Sequence, residues 1–325
     1  MQKIDKKNGR MWSRLGQRGT VCGAALPELM KEKENCYVIT ADLAHLSGLD
    51  RVKQNYPDRL INVGIAEQNM IGVAAGLAFE GNLVFATTYA TFISMRSYEQ
   101  IRHHLGYQKA NVKIIGSASG LAMGMSGNTH YSYEDIAIMR AIPNMTVISP
   151  ADASEAYQAV YAADEQEGPM YIRLSGNLNE KVLYQEPYDF QIGKAVTMKK
   201  GKDIVIIATG GSVSESIYAA EKLEEKGICP TVLNMHTIKP LDMETLKEYS
   251  KEKLIVTVEE HNIIGGLGSA VAEFLTSLKN PPLQLRIGIE DEFLHPGGYE
   301  YLKQNAGLDA DGICRRIEAL LRRSM

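Results

Sequence analysis

No pair of cysteines in this sequence is spaced for a metal or a redox motif, no apolar run spans a bilayer, and no excess of positive charge is present. The four cysteines (Cys22, Cys36, Cys229, Cys314) are scattered, with no CxxC and no Cys/His ligand pattern, which excludes zinc-ribbon and thioredoxin-like chemistry. They read as buried or idle thiols of a reducing compartment. No stretch approaches the ~20 apolar residues a membrane helix needs, and the polar start MQKIDKKNGR lacks the apolar centre of a signal peptide. The expectation is a soluble cytoplasmic protein. A net charge of −4 argues against nucleic-acid and membrane surfaces but leaves room for a small phosphorylated substrate in a locally basic pocket. With 325 residues, 45% of them hydrophobic, the chain can fill the cores of two ordinary domains.

Short β-branched runs alternate with helical spacing. Tyr37–Thr40, Leu83–Ala86, Val112–Ile115, Thr146–Ser149 and Tyr171–Leu174 read as strands bounded by Gly, Asn or Pro. Residues 66–79 and 152–164 read as helices, the second with Asp152 as N-cap and Glu155 completing a capping box. Residues 176–202 break the rhythm. A second series follows in Ile204–Ala208, Thr231–Asn234, Leu254–Val258 and Leu283–Arg286, ending in a helix from about Asp309 to Arg323. The expectation is an α/β protein of two domains with mainly parallel sheets, at 12–178 and 203–325, joined by a linker at 179–202.

The segment from Ile61 to Ala78 places one carboxylate, Glu67, between two apolar runs at a helix start. The small residues Gly72, Ala74, Ala75 and Gly76 that follow suit close packing. Local pattern leaves two readings open, a buried functional acid or a solvent-facing capping residue. Other clusters follow in order: Tyr89-Ala-Thr-Phe92, Gly127-Asn-Thr-His130, Arg140–Met145, Ser149-Pro-Ala-Asp152, Gly265–Ser269 and Gly307–Gly312. This ordered series, with Gly64-Ile-Ala-Glu-Gln68 at its head, resembles the pyrimidine-binding and C-terminal domains of the transketolase family, which includes 1-deoxyxylulose-5-phosphate synthase.

The resemblance implies thiamin diphosphate, which reacts through C2 of its thiazolium. It gives Glu67 the hydrogen bond to N1′ of the aminopyrimidine, through which the cofactor's own 4′-nitrogen is made basic. It also implies cofactor contacts at Asp42, Ile65, Phe92, Met95 and Tyr98. The last three are expected on one α-helical face, with Met95 where transketolases carry an aromatic residue. His130 is implied at the substrate's reacting oxygens, beside Ser126, where the family usually has an aspartate for a sugar hydroxyl. Arg173 lies near the family's phosphate-binding arginine, which transketolases place nearer Ser175, and Arg18 is a second phosphate candidate. His45, His261 and His295 are lesser candidates, and the pair His103-His104 reads as surface. Asn69 replaces the histidine of the deoxyxylulose synthase motif.

A complete enzyme of this family also needs Gly-Asp-Gly followed by Asn to hold Mg²⁺ against the diphosphate, and the sequence contains no Gly-Asp-Gly. No metal ligand is therefore expected in this chain. The implied protein is the C-terminal subunit of a split transketolase, inactive alone. It would share thiamin diphosphate with an N-terminal subunit that carries the motif and the Mg²⁺, in a heterotetramer whose core dimer is two copies of this chain. Sugar phosphates are the implied substrates. Alternatives are a 2-oxoacid dehydrogenase E1 β-type subunit, a 1-deoxyxylulose-5-phosphate synthase-like activity, a non-catalytic relative, or a dinucleotide-binding protein. Neither Gly-rich turn, Ala208–Ser212 or Gly265–Ser269, has the G-x-G-x-x-G form the last requires.

Overall fold

A computed structural model describes residues 2–323. Twelve strands form two sheets over these residues: β1 (Cys36–Thr40), β2 (Leu60–Asn62), β3 (Leu83–Tyr89), β4 (Val112–Ser117), β5 (Thr146–Ile148), β6 (Met170–Arg173), β7 (Val196–Lys199), β8 (Ile204–Ala208), β9 (Pro230–Asn234), β10 (Thr237–Lys239), β11 (Leu254–Asn262) and β12 (Leu283–Ile289). The first sheet has the order β10-β5-β6-β4-β3-β1-β2 and the second β12-β11-β8-β9-β7. All pairings are parallel except β10 on β5 and β7 on β9. The chain is thus an α/β protein of two mainly parallel-sheet domains, as the alternation of strand and helix predicts. The central strands β3, β4 and β8 are buried along their whole length, which is why they read as unbroken apolar runs rather than alternating ones.

Three short strands depart from the expected pattern. Val196–Lys199, inside the segment expected as a linker, forms the antiparallel edge of the second sheet. Thr237–Lys239, from the second half of the chain, adds an antiparallel edge to the first sheet. Leu60–Asn62 pairs with β1 over three residues. All lie at sheet edges, where partial exposure or a span of three residues leaves little hydrophobic signature.

The two halves are held as one body. Hydrophobic packing runs without a break from Ile39, Met70 and Ile114 beside the first sheet to Ile207, Leu233 and Ile255 of the second. Asp152 caps the helix Ala153–Glu165 by accepting from Glu155 N at 2.8 Å. The reciprocal bond is displaced by one residue: Glu155 Oε2 accepts from Ala151 N at 2.6 Å. Its other oxygen takes the Tyr188 hydroxyl, and Asn234 Nδ2 donates to both carboxylate oxygens. This buried cluster ties the connecting segment to both domains. The four cysteines are unpaired, and burial pushes the Cys22 and Cys36 thiols up to about 12. No helix among the described residues is long and apolar enough to cross a membrane.

Candidate active site

Parallel strands deliver their C-terminal ends to one edge of the first sheet, where α/β proteins carry their sites. Asp42 follows β1, Glu67 follows β2, Tyr89 closes β3, and the segment after β4 leads through residues 118–130. Asn62 knits the first two loops, its Oδ1 accepting from Asp42 N (2.9 Å) and Gly64 N (3.0 Å) while its Nδ2 donates to Asp42 Oδ1 (3.2 Å). Asp42 itself sits at φ +58°, and Gly64 at φ +74°. These turns bring the chain to Glu67, the first residue of the helix Glu67–Phe79.

Glu67 is only 3% exposed, so the solvent-facing capping reading falls. Its carboxylate accepts from Arg96 Nη1 at 2.8 Å, and among the described residues no other group donates to it. The Arg96 guanidinium carbon lies 4.2 Å from the centroid of the Phe92 ring. Phe92 in turn meets His130 edge-on at 5.4 Å and Tyr89 at 5.7 Å. The structure therefore assembles Glu67, Arg96, Phe92, Tyr89 and His130 as one wall. Ile65, 77% exposed, stands just ahead of Glu67 in the chain, and Met95, 42% exposed, lies next to Arg96.

Sequence pattern does not single out Arg96, because its pairing with Glu67, 29 positions away, is set by the fold. The expected α-helical face of Phe92, Met95 and Tyr98 does not form, because Phe92–Arg96 is a π-helical turn. Arg96, four places on from Phe92, lies back over that ring, at a spacing that places side chains on one helical face. Met95 points out, with its sulfur 3.7 Å from Thr91 Oγ1. Tyr98 packs against the core of the first domain.

His130 ends the loop 124–129, whose Ser126 is exposed. Thr129 Oγ1 lies 2.9 Å from His130 Nδ1, and among the described residues Nε2 has no hydrogen-bond partner. The second domain holds this loop in place. Gly297 N donates to Gly124 O (3.1 Å) and Asn128 Nδ2 to Leu294 O (2.9 Å). Gly127, at φ +71°, passes so close to Pro296 that an added Cβ would lie 2.9 Å from its ring. Behind the loop, Glu260 of β11 accepts from Leu121 N (2.7 Å) and the Tyr299 hydroxyl (2.6 Å). Burial pushes the Glu260 carboxyl up from its ordinary value, with Tyr299 opposing.

Arg173, expected near the phosphate of a substrate, lies in that support and not on the open wall. It is 1% exposed. Nε donates to both oxygens of Asp135 (3.1 and 2.8 Å), and Nη2 to Ser132 O (3.1 Å) and Glu260 O (2.9 Å). Arg18 has no ion-pair partner among the described residues and lines a cleft of about 110 Å³ with Gln17, Ala118, Met123, Ser175 and Asn177. That cleft shares the segment leading into Ser126. His45 is exposed beside Asp50, His261 is buried in β11, and His295 is exposed on the loop facing Gly124. His103 and His104 contact each other at 5.2 Å.

Comparison with known proteins finds relatives that cover most of the chain. Residues 17–181 match the family "Transketolase, pyrimidine binding domain" and residues 193–313 match "Transketolase, C-terminal domain". The chain is 44% identical over 297 residues to a Methanocaldococcus jannaschii protein provisionally named a transketolase C-terminal section, covering 91% of this chain and 93% of that one. It is 40% identical to a 6-deoxy-6-sulfo-D-fructose transketolase subunit of Clostridium sp. strain MSTE9, covering 92% of each. A 1-deoxy-D-xylulose-5-phosphate synthase of Caldanaerobacter subterraneus is 38% identical, but the chain spans only 48% of it. Among solved structures, a split-gene transketolase described as an inactive beta4 tetramer superposes with TM-score 0.84 at 38% identity, over 94% of this chain and 97% of that one.

Proposed function

The chain belongs to the transketolase family, and on that premise we propose that it is the C-terminal subunit of a split, thiamin-diphosphate-dependent transketolase. In this reading it transfers a two-carbon ketol unit between sugars, with sugar phosphates as substrates. The observation that carries the proposal is the wall itself: a buried carboxylate, an aromatic ring and an imidazole with a free nitrogen, adjacent at the C-terminal edge of the sheet.

The residues present fit the aminopyrimidine end of the cofactor. Glu67 offers a carboxylate that hydrogen-bonds to a single side chain, Phe92 a ring face, and Ile65 and Met95 exposed apolar surface. The cofactor, when bound, supplies a nucleophilic C2 centre that accepts the ketol unit. Glu67 holds the proton at N1′. His130, with Nδ1 engaged by Thr129, presents Nε2 to the substrate oxygen, where a positioned imidazole contributes roughly 10²–10⁴-fold. Ser126 meets a substrate hydroxyl and Arg18 an anionic substituent. Diphosphate and Mg²⁺ fall to a partner subunit with Gly-Asp-Gly…Asn, and two copies of each subunit form a cytoplasmic heterotetramer.

The relatives narrow the reaction more than the sugar. One is named for a sulfosugar, and another, from Phocaeicola vulgatus and 37% identical, is named as part of an apulose-4-phosphate transketolase. The test is co-purification with the Gly-Asp-Gly partner followed by a ketol-transfer assay over a ketose panel, with each subunit alone as control. Activity from this chain by itself overturns the split. Acyl transfer to a lipoyl domain instead of ketol transfer indicates the E1 β-type alternative.

A further inference from the structure

Glu67 is a carboxylate almost wholly removed from water, and such a group is costly to leave without a donor. Its one donor among the described residues is Arg96, at 2.8 Å. The same guanidinium lies over the Phe92 ring, 4.2 Å from its centroid. Arg96 is thus planar, delocalised, stacked on an aromatic face and donating one N–H to the buried carboxylate. Those are the contacts an aminopyrimidine would make with Phe92 and Glu67.

We propose that Arg96 is a placeholder for the aminopyrimidine ring, seated on Glu67 and Phe92 until the cofactor arrives and displaced when it binds. This rests on the reading of Glu67 as a thiamin-diphosphate site. The exchange is built to cost little. Glu67 trades one N–H donor for another, and Phe92 trades one flat partner for another. Gln68 Nε2 holds the Arg96 carbonyl at 3.1 Å, so the backbone stays fixed while the side chain, 49% exposed, is free to swing into water. Arg96 follows Phe92 by four places, a spacing at which helical side chains share one face, and the guanidinium reaches the ring from there.

A placeholder competes with the ring, so its removal strengthens ring binding. An arginine that stays and supports the bound cofactor would do the reverse. The test uses the chain co-purified with its diphosphate-binding partner, titrated by calorimetry with thiamin diphosphate and, separately, with inorganic diphosphate. Arg96→Leu is expected to bind thiamin diphosphate about two- to fivefold more tightly, the range spanned by a half-exposed ion pair. Its affinity for inorganic diphosphate, which does not reach the pyrimidine seat, is expected to stay unchanged. Arg96→Lys, which keeps the charge but loses the flat face, should fall between the wild type and Arg96→Leu, and it carries the test if the leucine variant fails to fold. Unchanged or weaker thiamin diphosphate binding overturns the placeholder, and so does an equal change for both ligands. If the wild-type pair binds inorganic diphosphate but gains nothing from the thiamin moiety, the reading of Glu67 itself fails, and the placeholder with it.

Discussion

Replacing Asp135 by alanine is expected to destabilise the protein by roughly 3–5 kcal/mol, the cost of leaving one partner of a buried ion pair alone. Both side chains are shut away from water, with relative exposures of 1% for Arg173 and 0% for Asp135. Screening by solvent therefore does not soften the loss. The substitution strands Arg173 Nε, which donates to both carboxylate oxygens, and removes the acceptor of the Tyr171 hydroxyl at 2.6 Å. Nη2 keeps Ser132 O and Glu260 O, so the cation remains held at a site with no counter-charge on its Nε side. At roughly 2–4 °C per kcal/mol for a chain unit of this size, the melting temperature should drop by on the order of 10 °C. The assay is urea unfolding followed by circular dichroism, with calorimetry for Tm. The double variant Asp135→Leu/Arg173→Met should recover most of the loss, because an apolar pair of similar volume is often no worse than a buried ion pair. A loss below about 1 kcal/mol for Asp135→Ala refutes the buried-pair account. A rise in KM with unchanged Tm for Arg173→Met would restore Arg173 as a substrate ligand.

Two further effects follow from the same geometry. Burial lowers the pKa of His236 to about 4, below the 6.5 of an unfolded histidine, so between those values the unfolded chain binds the extra proton and stability falls as pH falls. His236→Phe should remove roughly 2–3 kcal/mol of that acid loss, measured as the difference in unfolding free energy between pH 7 and 4.5; an unchanged acid limb contradicts it. Gly120 stands at φ +63° with Glu260 Oε1 only 2.1 Å from where a Cβ would lie, so Gly120→Ala should cost roughly 1–3 kcal/mol and lower ketol-transfer activity by displacing the support of the His130 loop. Wild-type Tm and kcat in that variant would show that the support is not needed.

The sequence is most legible where burial is complete. Ile204–Ala208 is buried at every position and reads as a strand at its true bounds, because a run of β-branched residues has few other uses. Edge strands such as Val196–Lys199 mix exposed and half-buried positions, and only their antiparallel partner defines them. In the site, the proximity of Glu67, Phe92 and His130 can be anticipated from motif order, but their arrangement cannot. Arg96 stands four places from Phe92, but that spacing does not show that it turns to a carboxylate from another helix, and a π-turn is not announced by composition. Arg173 illustrates the converse: its place in the sequence suggests an anion ligand, whereas Asp135, 38 positions away, takes its Nε. That pairing is a product of the fold.

Exchange of the thiazolium C2 proton for deuterium reports whether Glu67 serves the cofactor's proton chemistry. In the assembled pair with thiamin diphosphate, followed by proton NMR after acid quench, the wild type should exchange rapidly. Glu67→Gln, which keeps shape and one acceptor oxygen, should retain the fold and slow exchange by roughly 10²–10⁴-fold. Exchange at the wild-type rate in that variant would contradict the assignment.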